Sequence, residues 1–166
     1  MRFEKNFNVA YSQIYIVDGM MDSLYNGYSW TDEDFNSMLC VQEGFLIIGT
    51  ARSLVVPFCA NISNERPQIV FNLYSHIVEC SIETITGIRI FGDFDEEEYD
   101  LAISFDPGVY GVLACYKDLD SISFDGLEGN DSYHVFLWPS ERHITKKVLK
   151  QWVNEQRGIG TGFYQK

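Results

Sequence analysis

From Tyr99 to Phe105 the chain alternates: Tyr99, Leu101, Ile103 and Phe105 fall on one face, Asp100, Ala102, Ser104 and Asp106 on the other. A period of two marks a strand with one face in a core. Tyr110, Val112, Ala114 and Tyr116 repeat the pattern after Asp106-Pro107-Gly108. Proline fixes φ and glycine accepts positive φ, so Pro107-Gly108 suits the central positions of a type II turn. The stretch predicts a β-hairpin, and each of its strands needs a second layer to cover its apolar face.

The rest of the chain reads in the same register. NFNVAYSQIYIVD (Asn6–Asp18) is a strand that changes phase, from Phe7, Val9 and Tyr11 to Ile14 and Ile16. A bulge between Ser12 and Ile14, or burial on both faces, accounts for the switch. Gly19–Ser29 is a loop. Trp30-Thr31-Asp32-Glu33-Asp34 opens a short helix, with Thr31 as N-cap, Asp34 three residues on, and Phe35, Met38 and Leu39 as its apolar face. Trp30 is read as a packed staple or core residue. Phe45–Ala51 and Leu54–Ile62 are strands, Pro57 suggesting an edge position or a bulge. Further strands are expected near Ile69–Leu73, His76–Ser81 and Ile85–Phe91, with Gly87 as a bulge, and Ser132–Trp138 is the last. Lys117–Asp131 is a polar loop.

After Pro139, Ser140 is a helix cap, and Ile144, Val148, Leu149, Trp152 and Val153 form an apolar side opposite Lys146, Lys147 and Lys150. The predicted architecture is a mainly β, antiparallel β-sandwich of roughly seven to nine short strands. It carries a short helix in its N-terminal half and a C-terminal helix. Residues 1–139 form the sandwich and 140–166 a helical extension packed on or near it.

Charge narrows the partners. The formal net charge is −12 over 166 residues, which repels nucleic acid and anionic membranes and favours a basic partner. The acids concentrate at Asp93, Asp95, Glu96, Glu97, Glu98 and Asp100, and again at Asp118, Asp120, Asp125 and Glu128. Ser140–Lys166 is basic, with six Lys/Arg against Glu141 and Glu155. MRFEKNFNVAYS has no apolar signal region, so a cytoplasmic protein is expected. Cys40, Cys59, Cys80 and Cys115 show no paired spacing and are read as buried thiols. His76, His134 and His143 share no zinc-ligand spacing with them. Asp93, Asp95 and Glu97 alternate but do not complete a calcium loop. No nucleophile–base pair or metal set stands out, so no cofactor, metal or enzymatic activity is expected.

Several of these stretches occur together in a known family. VAYSQIYIV, the WTDED helix start, the apolar strand after Gly44 and the ISFDPGVYGV segment resemble, in order, the competence protein J family, from about Phe7 to Trp138. This chain is longer than that pattern, inserts the acidic run and adds the basic segment after Ser140. The resemblance implies an immunity-like inhibitor of a DNA-entry nuclease.

Such an inhibitor works by presenting carboxylates where a nuclease expects phosphates. Asp93, Asp95, Glu96, Glu97, Glu98, Asp100, Asp118, Asp120, Asp125 and Glu128 are therefore the candidate partner-binding residues. The plain alternative is that these acids are a solvated face that keeps the protein soluble. Asp32, Glu33 and Asp34 are read as helix capping before contact, and His76 and His134 as structural. Trp138 and the tyrosines are read as core, although exposed aromatics on one sheet would instead make a carbohydrate-binding module. A structural or assembly protein docking by its C-terminal segment is the third reading.

Overall fold

The computed structural model describes residues 1–21, 28–92, 101–154 and 158–159. In chain order its strands are β1 Arg2–Val9, β2 Gln13–Asp18, β3 Leu39–Gln42, β4 Phe45–Gly49, β5 Leu54–Ile62, β6 His76–Thr84 and β7 Ile88–Phe91. They continue with β8 Leu101–Ile103, β9 Gly108–Lys117, β10 Ser132–Ser140, β11 Lys147–Lys150, β12 Val153–Asn154 and β13 Gly158–Ile159. The α-helix α1 spans Asp32–Ser37.

The strands form a six-stranded sheet, β1-β5-β10-β9-β6-β11, and a five-stranded sheet, β3-β4-β2-β7-β8, with β12 and β13 as a small separate pair. The facing sides share one core. Phe7, Val56, Phe58, Val78, Val112 and Val135 come from the first sheet, and Ile14, Ile16, Leu46, Ile48 and Ile90 from the second. Alternate residues of the strands in these two sheets point inward, as a sandwich requires.

The phase switch near residue 12 is a change of sheet. β1 lies in the first sheet and β2 in the second, joined by a 3-10 turn, Ala10–Ser12, with Tyr11 and Ser12 both at φ 56°. Each half keeps its apolar residues facing the core, which is why the sequence changes parity there.

Six expectations are corrected. The stretch around Pro107-Gly108 is not a hairpin: β8 pairs with β7 in the second sheet, whereas β9 runs between β6 and β10 in the first. Residues 104–107 cross between sheets, and the corner is held by Phe105 stacked on Tyr110, ring centroids 4.6 Å apart, and by the Tyr110 hydroxyl donating to the Asp106 carbonyl. The first sheet is also not wholly antiparallel, because β10 runs parallel to β5, Tyr133 opposite Phe58.

Pro57 sits on an internal strand without a bulge. Residues 54–57 have only β1 beside them, since pairing with β10 begins at Phe58, and this leaves room for a missing N–H. Ile69–Leu73 is not a strand and ends in a 3-10 turn, Phe71–Leu73. Gly87 is no bulge but the turn between β6 and β7, at φ 114°. A β-carbon there would lie 2.2 Å from the Ile103 carbonyl oxygen.

The C-terminal helix is likewise absent among the described residues. Lys147–Lys150 is a strand added to the free edge of β6, with a register shift between Val148 and Lys150. Val148 packs against the core between the sheets, while Leu149 and Ile144 pack on the outer face of the first sheet with Ile77, Leu113 and Trp138. Side chains spaced for one face of a helix are thus divided between two faces of a bulged strand.

A loop-bearing end of the sandwich as candidate functional site

Strand direction collects most of the candidate loops at one end. Val9 opposes Leu54, Ser132 opposes Lys117 and Tyr116 opposes His76 in the first sheet. Gln13 opposes Gly49, and Tyr15 opposes Phe91, in the second. The 10–12 turn, the 50–53 loop and the 118–131 loop therefore share that end. So do Gly92 and Leu101, the residues flanking the acidic run.

Buried polar bonds tie these loops in series. Thr50 N–H donates to the Ser12 carbonyl at 2.8 Å, and the Ser12 and Ser53 hydroxyls are 2.8 Å apart. Arg52 Nε donates to Asp131 Oδ1 at 2.5 Å, with Asp131 wholly buried. The Tyr133 hydroxyl donates to Asp131 Oδ2 at 2.6 Å and accepts the Ala51 N–H at 2.7 Å. Burial and the neighbouring Asp131 charge push the Tyr133 phenol well above its usual range, so it remains a donor. The sequence showed Asp131 only as the end of a polar loop; its pairing with Arg52, 79 residues away, left no local trace.

The predicted carboxylates are distributed as follows. Asp93, Asp95, Glu96, Glu97, Glu98 and Asp100 lie outside the described residues. Asp118 is exposed and 3.9 Å from Lys117 Nζ. Asp120 accepts the Trp152 indole N–H at 2.8 Å, joining the loop to the C-terminal segment. Asp125 closes a turn by accepting the Ser123 hydroxyl at 2.5 Å and the Leu127 N–H at 3.1 Å. The Glu128 side chain is exposed. The structure thus gathers Asp118, Asp120, Asp125 and Glu128 on one loop, two of them also serving to hold it.

The helix acids have structural work. Thr31 and Asp34 make a reciprocal capping box, and Trp30, the residue before the cap, stacks on Phe35 at 5.3 Å as the staple does. Asp34 also receives Lys146 Nζ at 2.6 Å, and that ammonium donates to the Leu39 carbonyl as well. Lys150 Nζ donates to the Phe71 and Tyr74 carbonyls. Of the three lysines read as a wet helix face, two are therefore committed to holding the C-terminal strand.

His76 is fully buried. Its Nε2 contacts the Ser37 carbonyl at 2.7 Å and its Nδ1 accepts the Trp152 N–H at 3.1 Å, which defines a neutral imidazole protonated on Nε2. Burial lowers its pKa to about 4. His134 lies 3.0 Å from the Ser132 hydroxyl and edge-on to Tyr74. All four cysteines are free and buried, and burial raises the Cys80 and Cys115 thiols to about 12. Among the described residues no three His, Cys, Asp or Glu side chains are grouped to hold a metal. No described helix is long and apolar enough to cross a membrane.

A two-sheet sandwich that changes sheets at residues 10–12 and is sealed by an added C-terminal strand defines the structural class. Two solved structures are similar to it in overall fold. One is ComJ, inhibitor of the DNA degrading activity of NucA, from Bacillus subtilis, with a TM-score of 0.62 and 15% identity over 83% of this chain and 96% of that one. The other carries the description Crocagin biosynthetic gene J, with a TM-score of 0.52 and 15% identity over 85% of this chain and 96% of that one. At this identity the likeness is one of fold. It agrees with the resemblance read from the sequence segments. No protein-family model and no curated protein sequence matches the chain.

Proposed function

We propose that the protein is a non-enzymatic inhibitor of a nuclease, binding it through the loop-bearing end of the sandwich and excluding nucleic acid from its groove. The observation that carries this reading is the fold shared with ComJ over nearly the whole of that protein. The 118–131 carboxylates lie at the same end of the sandwich as the flanks of the acidic run, which supports it. A nuclease groove is positive because it must attract a polyanion, so exposed carboxylates both steer association and occupy the phosphate sites. The four free thiols suit a reducing compartment, and the reading places the complex in the cytoplasm.

The test is titration of DNA degradation by NucA, and by nucleases of the chain's own host, with the purified protein. Stoichiometric inhibition that weakens with added salt is expected. Replacing Asp95, Glu96, Glu97 and Glu98 with their amides should weaken inhibition while leaving the thermal transition intact. Full inhibition by that variant removes the acidic run from the interface, and a wild-type chain that inhibits none of these enzymes overturns the reading.

A further inference from the structure

We infer that this end holds its partner through aromatic anchors, Phe124 and Tyr11, while the carboxylates around them govern the approach. The inference rests on the inhibitor reading above and names the part of the surface that gives the complex its lifetime.

Phe124 is 83% exposed on a turn that is already ordered. Ser123 N–H donates to the Glu128 carbonyl at 2.8 Å, Gly126 N–H to the Ser123 carbonyl at 2.9 Å, and Glu128 N–H to the Ser123 hydroxyl at 3.0 Å. Asn130 N–H donates to the Ser121 hydroxyl at 2.8 Å, and Ile122 packs against the core. Such a turn loses little freedom on binding, which is the condition for an efficient anchor. Leu127, on the same turn, is also exposed.

Tyr11 is equally exposed, at 83%, in the turn between the sheets. It adopts φ 56°, a conformation that a side chain other than glycine takes only at a cost. Leu54, just beyond Ser53, is exposed at φ 73°. Single exposed apolar residues are ordinary. Here four large ones stand on or directly beside three loops that the Ser12–Ser53 and Arg52–Asp131 bonds fasten to one another.

Charge selects the occupant. Asp118, Asp120, Asp125 and Glu128 lie on the loop that carries Phe124, and the chain as a whole is at −12. A second copy would bring like charges together, and nucleic acid or anionic lipid would be repelled. The fitting partner is a basic protein surface with an apolar recess. In such interfaces a few desolvated aromatics dominate the dissociation rate, while rim charges act on association.

The experiment measures association and dissociation rates with the inhibited nuclease across a salt series. Phe124→Ala and Tyr11→Ala should each speed dissociation at least tenfold, with association and its salt dependence within twofold of wild type and the melting temperature unchanged. Phe124→Tyr should restore slow dissociation. Asp118→Asn with Glu128→Gln should slow association and flatten its salt dependence. Unaltered dissociation in both alanine variants, with the wild type still inhibiting, overturns the anchors and leaves the inhibitor reading standing. A wild-type chain that binds no nuclease overturns both.

Discussion

Lys146 Nζ and Asp34 Oδ1 meet at 2.6 Å with only 14% and 10% of their side chains exposed, so a cation on the C-terminal segment neutralises the carboxylate that caps α1. Burial alone would push the Asp34 carboxyl up. Hydrogen bonds from Lys146 and Thr31, together with the Lys146 charge, outweigh it and hold the group below its usual value. A carboxylate with a depressed pKa adds stability above the unfolded pKa, and that stability is lost as pH falls through the folded value.

Lys146→Met should therefore be costly, because it strands a buried charge. A loss of about 3 kcal/mol at pH 7 is expected from urea unfolding. Asp34→Asn combined with Lys146→Met should cost less than the two single changes added together. Additive losses would show that the pair is not coupled.

His76 gives a second acid-sensitive element with its own window. Its pKa falls from 6.5 to about 4 on folding, so the unfolded chain binds the extra proton between those values. Stability must then decline as pH drops from 6.5 towards 4, by roughly 3 kcal/mol in all, and level off below. His76→Gln should be less stable at pH 7, having lost the bond to either Ser37 or Trp152, yet show a shallower slope across that window. Denaturant midpoints measured at half-unit pH intervals decide it, and a slope identical to wild type contradicts the assignment.

Gly111 faces Trp138 across the β9–β10 pair, and a β-carbon there would lie 2.3 Å from two atoms of the indole. Trp138 is 95% buried by this stacking and its neighbours on the outer face. Gly111→Ala must displace the ring, with an expected loss of about 1–3 kcal/mol and greater exposure of an indole to a fluorescence quencher. An unshifted unfolding midpoint with unchanged quenching would show that the ring does not need the missing side chain.

What the sequence disclosed depended on whether a signal was local. Leu54–Ile62 was readable to the residue because its apolar run is bounded by its own flanks. Thr31 and Asp34 announce their cap within three positions. The crossing between β8 and β9 was not readable, because two consecutive alternating strands look alike whether they pair with each other or with β7 and β6. Likewise Ile144, Val148, Leu149 and Trp152 satisfy helical spacing, and only the open edge of β6 makes them extended. Within the candidate site the acids were visible as a charge run, whereas the Arg52–Asp131 tie and the display of Phe124 depend on residues brought together by folding.

The capped helix at residues 32–37 is synthesised 112 positions before the lysine that neutralises Asp34. On the ribosome, α1 therefore spends most of translation with a carboxylate that must remain in water, and the edge of β6 waits in its turn for β11. Closure of the sandwich is a late event, set by non-local pairings that are slow to form. A nascent chain stopped short of residue 146 would present an open sheet edge to whatever chaperone or neighbour reached it first.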